Sequence, residues 1–462
     1  MDTQVSCSTD KSCSKALNGD SNNFDLIVVG GGSSGFSAAI TAADSGARVA
    51  LVSHGTIGGT CVNVGCVPSK NLIRAAEVLH QARAGNRFNG ISASASLTDW
   101  RALIGQKENL VTDLRQKKYI DLLPEYKNIT LIEGRAKISE NGVLAGGTEL
   151  LSDKVIIATG SSAAIPAIAG IEDVPYITST EAFELVKLPQ SMIVVGGGVI
   201  GCEVGQMFAR FGTKVTILCR SRLLAGAEPE VSDGLEQYLK DEGVNVICGV
   251  KYESVEYDGE MTLCYKINGE TRRLSGEQLL VATGRRPNIE DLGLEEIGIK
   301  VGERGIAVND HMQTSRSNIY AAGDVTGRDQ FVYMAAYGGK IAAANALNAN
   351  SLYYDSSVMP RVVFTDPQAA SVGQTEAQAN QQDMAVKTSD LTLDNVPRAL
   401  AAKDTRGLIK LIADAESNRL VGAHILAPEG ADTIQTMALA IRQQLTVDEL
   451  AEMIFPYLTT VE

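Results

Sequence analysis

The hydrophobic pattern becomes regular at Phe24, after a polar stretch rich in Ser, Asp and Asn. From there an apolar segment, a glycine-rich turn, an Ala-rich segment and a second apolar segment follow in DLIVVGGGSSGFSAAITAADSGARVALV. This order predicts a strand, a helix and a second strand, which together form a βαβ unit. The pattern returns at Ser191 in SMIVVGGGVIGCEVGQMFARFGTKVTIL, and in both copies the second strand ends 23 residues after the first glycine. The sequence therefore predicts two nucleotide-binding units.

The duplication extends beyond the glycine turns, because each copy is followed by a strand that ends in Ala-Thr-Gly, KVIIATG at 154–160 and QLLVATGRRP at 278–287. A further strand, NIYAAGD at 318–324, precedes an Ala-rich helical segment. From about Leu352 the sequence instead predicts strands followed by helices, which is typical of an α+β unit. We therefore predict an α/β fold with two Rossmann-like domains and a C-terminal α+β domain used for packing or dimerisation.

Composition and charge narrow the class of protein. The chain has 462 residues, of which 44% are apolar and 21% charged, as expected for a globular protein of about three domains. A formal charge of −14 argues against nucleic acid or anionic lipid as a partner. Neither an apolar run of about 18 residues nor a signal peptide is recognisable, so membrane insertion and secretion are not expected. Eight cysteines are too few for a disulfide scaffold, and a reducing, cytoplasmic location is expected. The polar stretch at 1–24 is predicted to be a disordered tail whose Cys7 and Cys13 are incidental thiols.

The two glycine turns have the spacing of dinucleotide-binding loops. In each loop, the first glycine is expected to permit a tight turn, the second to admit a pyrophosphate and the third to allow close packing of strand and helix. The corresponding positions are Gly30, Gly32 and Gly35 in the first loop and Gly196, Gly198 and Gly201 in the second. A single loop of this kind is weak evidence, but two copies between a strand and a helix are a specific signal.

The residue after the second strand indicates which dinucleotide binds. An NAD site usually has an acidic residue there for the ribose 2′-hydroxyl, whereas the second copy has Cys219, followed by Arg220 and Arg222. Two guanidinium groups without a carboxylate fit a 2′-phosphate, so we predict NADPH rather than NADH. The alternative is that both arginines are solvated surface charges. In the first copy the same position is Ser53, which can hydrogen-bond a ribose but has no charge.

The segment at 58–70, GGTCVNVGCVPSK, carries the most specific chemistry. In an ideal helix Cys61 and Cys66, five residues apart, would lie beyond easy disulfide reach. Gly65 loosens the backbone between them, while Pro68 removes an amide donor and clashes with the carbonyl four residues earlier, so we predict a distorted helix and a feasible bridge. A helix N-terminus also stabilises thiolate, so both cysteines are predicted to be reactive. The alternative is two buried, small apolar side chains.

With this segment, two glycine loops, two Ala-Thr-Gly turns and the NIYAAGD strand in this order, residues 25–462 resemble the pyridine nucleotide-disulfide oxidoreductases. The resemblance implies that the first loop binds FAD and the second binds NADPH. It also implies a domain division. An FAD-binding domain would comprise 25–164 and 284–350, an NADPH-binding domain 165–283, and a dimerisation domain 351–462.

The resemblance also implies roles for single residues. Cys66 would lie against the flavin ring as the charge-transfer thiolate, and Cys61 would be the outer thiol that meets substrate. Lys70 would lie beside flavin N5, with Glu203 as its carboxylate partner. The expected FAD contacts are Gly55, Thr60, Lys70, Ala136, Asp324 and Val332.

The end of the chain indicates the branch of the family. Members that reduce organic disulfides carry HPTxxE near the C-terminus, where a histidine from the other subunit protonates a leaving thiolate. This chain ends in FPYLTTVE, so aligning Glu462 with the motif's glutamate places Tyr457 at the histidine position. A phenol with a pKa near 10 is a poor acid at neutral pH. Together with GTIGGTCVNVGCVPSK and TLDNVPRAL, this ending resembles the mercuric reductases.

That resemblance implies a cytoplasmic homodimer that reduces Hg(II) to Hg(0), with the metal ion held transiently by Cys61 and Cys66. Tyr119 and Tyr457, contributed by different subunits, would approach the metal ion, although Tyr119 could instead be an ordinary aromatic residue on a helix face. Mercuric reductases usually continue beyond this glutamate to a vicinal cysteine pair, and many carry an N-terminal metal-binding domain. Either the sequence is truncated at Glu462 or small Hg(II) complexes enter directly. Two alternatives remain, a reductase of lipoamide or other small disulfides, and a non-catalytic metal-sequestering flavoprotein.

Overall fold

The structure, a computed structural model, describes residues 22–462. Most of the predicted tail, including Cys7 and Cys13, therefore lies outside the described residues. Phe24, the last residue of that predicted tail, is buried, and its amide donates to the carbonyl of Leu151 at 2.9 Å. Phe24 is thus part of a hydrophobic core that includes Ile27 and Leu150, so the tail prediction is wrong for this residue.

The first unit is built on a parallel five-stranded sheet. Its central strand, Leu26–Val29, pairs with Val49–Ser53 on one side and with Val155–Ile157 on the other. Ile129–Glu133 and Ile319–Ala321 form the two edges. The last of these strands comes from beyond the second unit, so the first unit takes residues from two separate stretches of chain, as a discontinuous domain requires. The boundaries at 164, 283 and 350 stay a prediction.

Helices cover the first sheet because its strands are apolar on both faces, and a strand buried on both sides needs a layer on each. The first glycine-loop helix, Ser33–Asp44, packs closely on Val332–Leu347, where an added Cβ at Gly339 would lie 2.2 Å from the Ser34 carbonyl oxygen. The other helices of the unit are Gly59–Asn63, Cys66–Ala84, Trp100–Arg115 and the π-helix Gln116–Ile120. Three short antiparallel strands complete it, Ala136–Ser139, Gly142–Ala145 and Thr148–Leu151.

The second unit repeats the plan with four parallel strands. In spatial order they are Asn245–Cys248, Lys214–Cys219, Ser191–Val195 and Gln278–Val281. Its helices are Ser179–Ala182, Val199–Phe211 and Pro229–Asp241. An antiparallel meander follows Asn245–Cys248 in the chain and precedes Gln278–Val281. Its strands are Lys251–Tyr257, Met261–Ile267 and Glu270–Gly276. Two small ribbons pair Ser161–Ala163 with Arg285–Pro287 and Val301–Gly302 with Gly305–Ile306.

The C-terminal unit is an antiparallel sheet with helices, as the α+β prediction requires. Its strands in spatial order are Arg361–Val363, Gln368–Gly373, Leu420–Ala427, Leu408–Asp414 and Val386–Thr392. Its helices are Glu376–Gln381, Pro397–Ala402, Gly430–Arg442 and Val447–Ala451. Short 3₁₀ turns across the chain are Gly85–Arg87, Leu123–Glu125, Ile171–Asp173, Asp324–Thr326 and Leu393–Asn395. Across residues 22–462, none of the helices combines the length and apolar content that crossing a bilayer requires.

Candidate active site

The two glycine loops adopt the same backbone shape. Gly30 and Gly196 have φ of +128° and +118°, and an added Cβ at either would lie within 2.3 Å of the carbonyl oxygen of the residue that follows a neighbouring strand. At Gly35 and Gly201, an added Cβ would lie within 2.0 Å of the carbonyl oxygen of the loop's first glycine. These four positions need glycine because the protein itself leaves no space for a side chain.

The middle glycines differ, and they test whether the loops suit a dinucleotide. An added Cβ at Gly32 would come no closer than 3.6 Å to Gly59 Cα, and at Gly198 it would meet nothing within 4 Å. The protein therefore does not itself require glycine at these two positions. Each lies immediately before a helix N-terminus, whose amides and dipole favour an anion. A bare backbone facing open space at a helix start fits the close approach of a pyrophosphate in both units.

The ends of the second strands differ between the units. Ser53 is buried, and an added Cβ on Gly31 would lie 2.3 Å from its hydroxyl oxygen, so Ser53 packs directly beneath the first loop. In the second unit, Arg220 follows the strand and is exposed. Arg222 donates to the carbonyl oxygens of Ala225 at 3.3 Å and Ala227 at 2.7 Å. Arg220 is thus the exposed member of the predicted pair, whereas Arg222 also holds its own loop.

The residues expected to contact FAD are distributed around the carboxyl ends of the first sheet. Asp324 begins a 3₁₀ turn shortly after the strand Ile319–Ala321 and accepts a 2.7 Å hydrogen bond from Ser161. Gly55 has a φ of +82°, and Thr60 lies exposed in the short helix Gly59–Asn63. Ala136 begins a strand and Val332 begins a long helix. Their contacts to a flavin nucleotide stay a prediction.

The cysteine segment contains the predicted distortion. Helix Gly59–Asn63 ends, and a 19-residue helix starts at Cys66 after Gly65, which has φ −123° and ψ −111°. An added Cβ on Gly65 would lie 3.3 Å from Cys61 Cα and 2.9 Å from the Thr60 carbonyl oxygen, so the backbone on either side of the break is closely packed. The break brings the two thiols into a hydrogen bond with each other, with both as free thiols.

The two thiols of this pair have opposite acidities. The hydrogen bond from Cys61, together with the positive charge of Lys70, lowers the pKa of Cys66 to about 7 despite its burial. The same hydrogen bond and burial raise the pKa of Cys61. Cys66 is also the first residue of its helix, where the helix dipole favours an anion. Near neutral pH Cys66 is therefore the thiol of the pair that ionises, whereas Cys61 stays protonated.

Lys70 and Glu203 form the predicted ion pair, with 2.7 Å between Lys70 Nζ and a carboxylate oxygen of Glu203. Glu203 is 4% exposed and lies on the helix of the second glycine loop. Its other oxygen accepts from the amide of Phe364 at 2.8 Å, and Lys70 Nζ lies 4.8 Å from the centre of the Phe364 ring. Glu203 thus connects the cysteine helix, the second unit and the C-terminal unit.

The tyrosines occupy different surroundings. Tyr119 lies in the π-helix, with its hydroxyl 3.3 Å from that of Ser33 and its ring edge-on to Phe36 at 4.7 Å. Burial raises the pKa of Tyr119, and the charges of Cys61 and Cys66 act in the same direction. Tyr457 is 72% exposed. Glu462 accepts from the amide of Leu458 at 2.9 Å and closes the final turn.

Two residues that position parts of the site, Asn63 and Arg285, were not predicted from the sequence. Asn63, inside the cysteine segment, donates to the carbonyl oxygens of Ile57 and Gly59, both at 2.9 Å, and accepts from Arg115 at 3.0 Å. It therefore fixes the loop that precedes Cys61. Arg285 donates to the Ser161 hydroxyl at 2.7 Å, beside Asp324. The sequence feature that points to Arg285 is its location directly after the second Ala-Thr-Gly turn, in ATGRRP.

Two Rossmann-like sheets, two open glycine loops and a thiolate–thiol pair beside the first loop define a flavin- and pyridine nucleotide-dependent oxidoreductase. Residues 24–339 match the family model described as pyridine nucleotide-disulphide oxidoreductase, and residues 359–462 match that of the family's dimerisation domain. The chain therefore belongs to this family, which confirms the predicted fold class and, through the family, the cofactors FAD and NADPH.

Several relatives narrow this assignment. A mercuric reductase from Lysinibacillus sphaericus is 45% identical over 445 residues, which cover 96% of this chain and 81% of that protein. One from Streptomyces lividans is 44% identical over 447 residues, covering 95% and 94%. Among solved structures, the Cu(II) complex of the HOCl-induced flavoprotein disulfide reductase RclA from Escherichia coli has a TM-score of 0.84 at 31% identity, covering 95% and 97%. The similarity to mercuric reductases inferred from the chain's end is confirmed.

Proposed function

We propose that this protein is an NADPH-dependent flavoprotein that reduces Hg(II) to Hg(0). The observation that carries the proposal is the Cys61–Cys66 pair, in which Cys66 has a pKa of about 7, in a chain 45% identical to a mercuric reductase. Thiolates are preferred ligands of soft cations, and Cys66 is in the ligand-competent form near neutral pH.

The chain's own residues define what each part of the site does. Gly32 and Gly198 leave open backbone for the two dinucleotides, and Arg220 supplies positive charge for a 2′-phosphate. Bound FAD would supply two-electron transfer between NADPH and the cysteine pair. Lys70, held by Glu203, stabilises the Cys66 thiolate. Cys61 is the outer thiol that exchanges with the thiolate ligands of incoming Hg(II), and its proton leaves on the released thiol.

Tyr457 suits Hg(II) better than an organic disulfide. Reduction of a disulfide ends with a leaving thiolate that needs a proton, and a phenol is a poor acid at neutral pH. Hg(II) instead departs as neutral Hg(0) after accepting two electrons, so the metal product needs no proton. Tyr119 lies close to the cysteines of its own chain, where burial keeps its phenol protonated.

We propose a homodimer in which Tyr457 reaches the site of the partner subunit. The match to the family's dimerisation domain supports this assembly. So does the exposure of apolar side chains before the chain's end, because a large exposed apolar patch usually marks an interface. These side chains are Met453, Ile454, Tyr457 and Leu458. A cytoplasmic location follows from the proposed function, because NADPH and low-molecular-weight thiols are available there.

The test is NADPH oxidation by the FAD-loaded enzyme with Hg(II) in an excess of a small thiol, with volatile Hg(0) collected from the same samples. The proposal expects oxidation only when Hg(II) is added, with one Hg(0) released per NADPH consumed. NADPH oxidation without release of Hg(0) would contradict it.

The similarity to a flavoprotein disulfide reductase makes reduction of small disulfides the second candidate. It is tested by offering oxidised lipoamide or another small disulfide in place of Hg(II) at the same concentration. We expect this rate to be much lower, since the C-terminal segment has Tyr457 where an acid is needed. An equal or greater rate would favour the second candidate.

A further inference from the structure

A second pair of cysteines lies in the NADPH-binding unit. Cys219 and Cys248 end two neighbouring parallel strands and are directly opposite each other in the register. Neighbouring strands are about 4.8 Å apart, and side chains directly opposite point to the same face. The two sulfurs are accordingly 3.1 Å apart. The carboxyl ends of such strands are where α/β sheets bind ligands.

The pair differs from two ordinary buried cysteines because one side is open. Cys219 is 4% exposed, whereas Cys248 is partly exposed and offers an entry from solvent. The Cys248 sulfur lies 3.3 Å from a carboxylate oxygen of Glu236. Its hydrogen bond with Cys219, burial and this carboxylate all raise the pKa of Cys248, while the bond between the thiols lowers the pKa of Cys219.

The pair adjoins the loop that would bind NADPH. An added Cβ on Gly197 would lie 2.8 Å from Cys219 Cβ and 3.2 Å from its sulfur, so Cys219 is in close contact with the second glycine loop. Gly197 also accepts from the amide of Leu224 at 2.8 Å, which connects the loop to the segment after Cys219. Arg220, the exposed cation predicted to bind the 2′-phosphate, is the next residue.

We propose that Cys219 and Cys248 form a second dithiol site that captures a soft, two-coordinate cation, represented by Hg(II), and thereby weakens NADPH binding. Soft cations prefer thiolate ligands, and two sulfurs already in contact offer both ligands without a large rearrangement of the backbone. The exchange is balanced. A bis-thiolate complex Hg(SR)₂ exchanges its two ligands for the two cysteine sulfurs, and the cysteine protons leave on the two RSH released, without oxidation or reduction.

The effect on NADPH follows from where the sulfurs can move. A cation bound between two sulfurs requires them to move apart, and Cys219 has no space on the side of Gly197. Cys248 can move toward solvent, but it ends the strand beside Cys219, and Gly249 donates to the Ser221 carbonyl oxygen at 3.1 Å. Movement of Cys248 therefore disturbs the segment that carries Arg220.

The experiment isolates this site from the catalytic pair. The background variant of the full-length, FAD-loaded protein carries Cys61→Ala and Cys66→Ala, and also Cys7→Ser and Cys13→Ser. The first comparison adds Cys248→Ser to this background. The matched control adds Cys264→Ser, which removes another partly exposed thiol of the same unit. Bound FAD absorbance checks that each variant is folded.

Hg(II) is supplied in a small monothiol, and native mass spectrometry counts the ions bound per chain. NADPH affinity is measured by fluorescence on the same samples. We expect the background and the Cys264→Ser variant to retain one ion per chain that Cys248→Ser loses. Occupancy should raise the NADPH Kd about tenfold, an effect absent in Cys248→Ser.

Equal Hg(II) stoichiometry with and without Cys248 would overturn the proposal, as would an unchanged NADPH Kd at full occupancy. Failure of reduced protein to bind the metal, with a Cys219–Cys248 disulfide forming in air, would overturn it in favour of an oxidation site. None of these outcomes depends on Hg(0) production, because the background lacks the redox pair. The result is therefore independent of the proposed catalytic function.

Discussion

Within residues 22–462, two close thiol pairs are built differently. Cys61 and Cys66 are five residues apart and are brought together by a break between two helices. Cys219 and Cys248 are 29 residues apart and are brought together by the register of two parallel strands. The first arrangement depends on local backbone chemistry, whereas the second depends on the sheet.

The charges beside the pairs also differ. In each pair one thiol has a lowered pKa and the other a raised pKa because the two share a hydrogen bond. Lys70 adds a positive charge that favours the thiolate at Cys66. Glu236 adds a negative charge beside Cys248. The two pairs therefore differ in the charge beside them, which favours the anion at Cys66 in the first pair and opposes it at Cys248 in the second.

The largest expected effect comes from removing the anionic thiol of the first pair. Cys66→Ala should lower Hg(II)-dependent NADPH oxidation by at least about 10³-fold, because substitution of a central catalytic group typically costs that much or more. Release of Hg(0) and bound FAD are measured together. FAD should remain bound, and the Cys264→Ser control should keep its activity. Substantial Hg(0) release by Cys66→Ala would mean that the second pair can replace the first.

The contrast between the two pairs also explains what the sequence could predict. Gly65 lies between Cys61 and Cys66, and Pro68 follows Cys66 by two residues. Both residues disfavour a continuous helix, so the sequence predicts the break from local geometry alone. The glycine loops could also be predicted from the sequence, because the glycines of each loop have a fixed spacing around one turn. The Lys70–Glu203 ion pair, 133 residues apart in the chain, was predicted only through family resemblance.

The second pair was not predicted, for a physical reason. In the sequence, Cys219 stands out only because it occupies the position where an NAD site has an acidic residue. Its contact with Cys248 depends on which strand lies beside it and in which register. A shift of the pairing by one residue would turn the facing side chains to the opposite surface of the sheet. The same limit applies to the Asn63–Arg115 and Arg285–Ser161 hydrogen bonds, which join segments that are separate in the chain.

The next effect tests whether the second pair truly adjoins the NADPH site. Arg220→Ala should weaken NADPH binding by about tenfold or more and leave NADH binding nearly unchanged, because a charge-assisted phosphate contact is lost. Arg222→Ala removes hydrogen bonds to the Ala225 and Ala227 carbonyl oxygens, so it should weaken both cofactors by similar factors. Titration of each variant with both cofactors measures this. If neither variant changes the preference for NADPH, the 2′-phosphate site lies elsewhere.

A smaller effect is expected at the first pair when its cation is removed. The Lys70 charge lowers the pKa of Cys66, so Lys70→Met should raise it, by about one pH unit. The thiolate forms as pH rises through the pKa, so the rate of iodoacetamide alkylation should rise near pH 7 in the parent and at higher pH in Lys70→Met. Arg74→Met, one turn along the same helix, is the control. Coincident profiles for parent and Lys70→Met would show that the helix terminus and the thiol hydrogen bond suffice.

The smallest effect concerns the anion beside the second pair. The hydrogen bond and the negative charge of Glu236 help to raise the pKa of Cys248, so Glu236→Gln should lower it, by less than about one pH unit, because the bond with Cys219 is its main cause. Alkylation of Cys248 against pH, in protein lacking Cys61 and Cys66, measures the change. Asp233→Asn, an exposed change on the same helix, should have no effect. If Glu236→Gln leaves Cys248 as unreactive as before, the hydrogen bond with Cys219 and burial, rather than the neighbouring charge, keep Cys248 protonated.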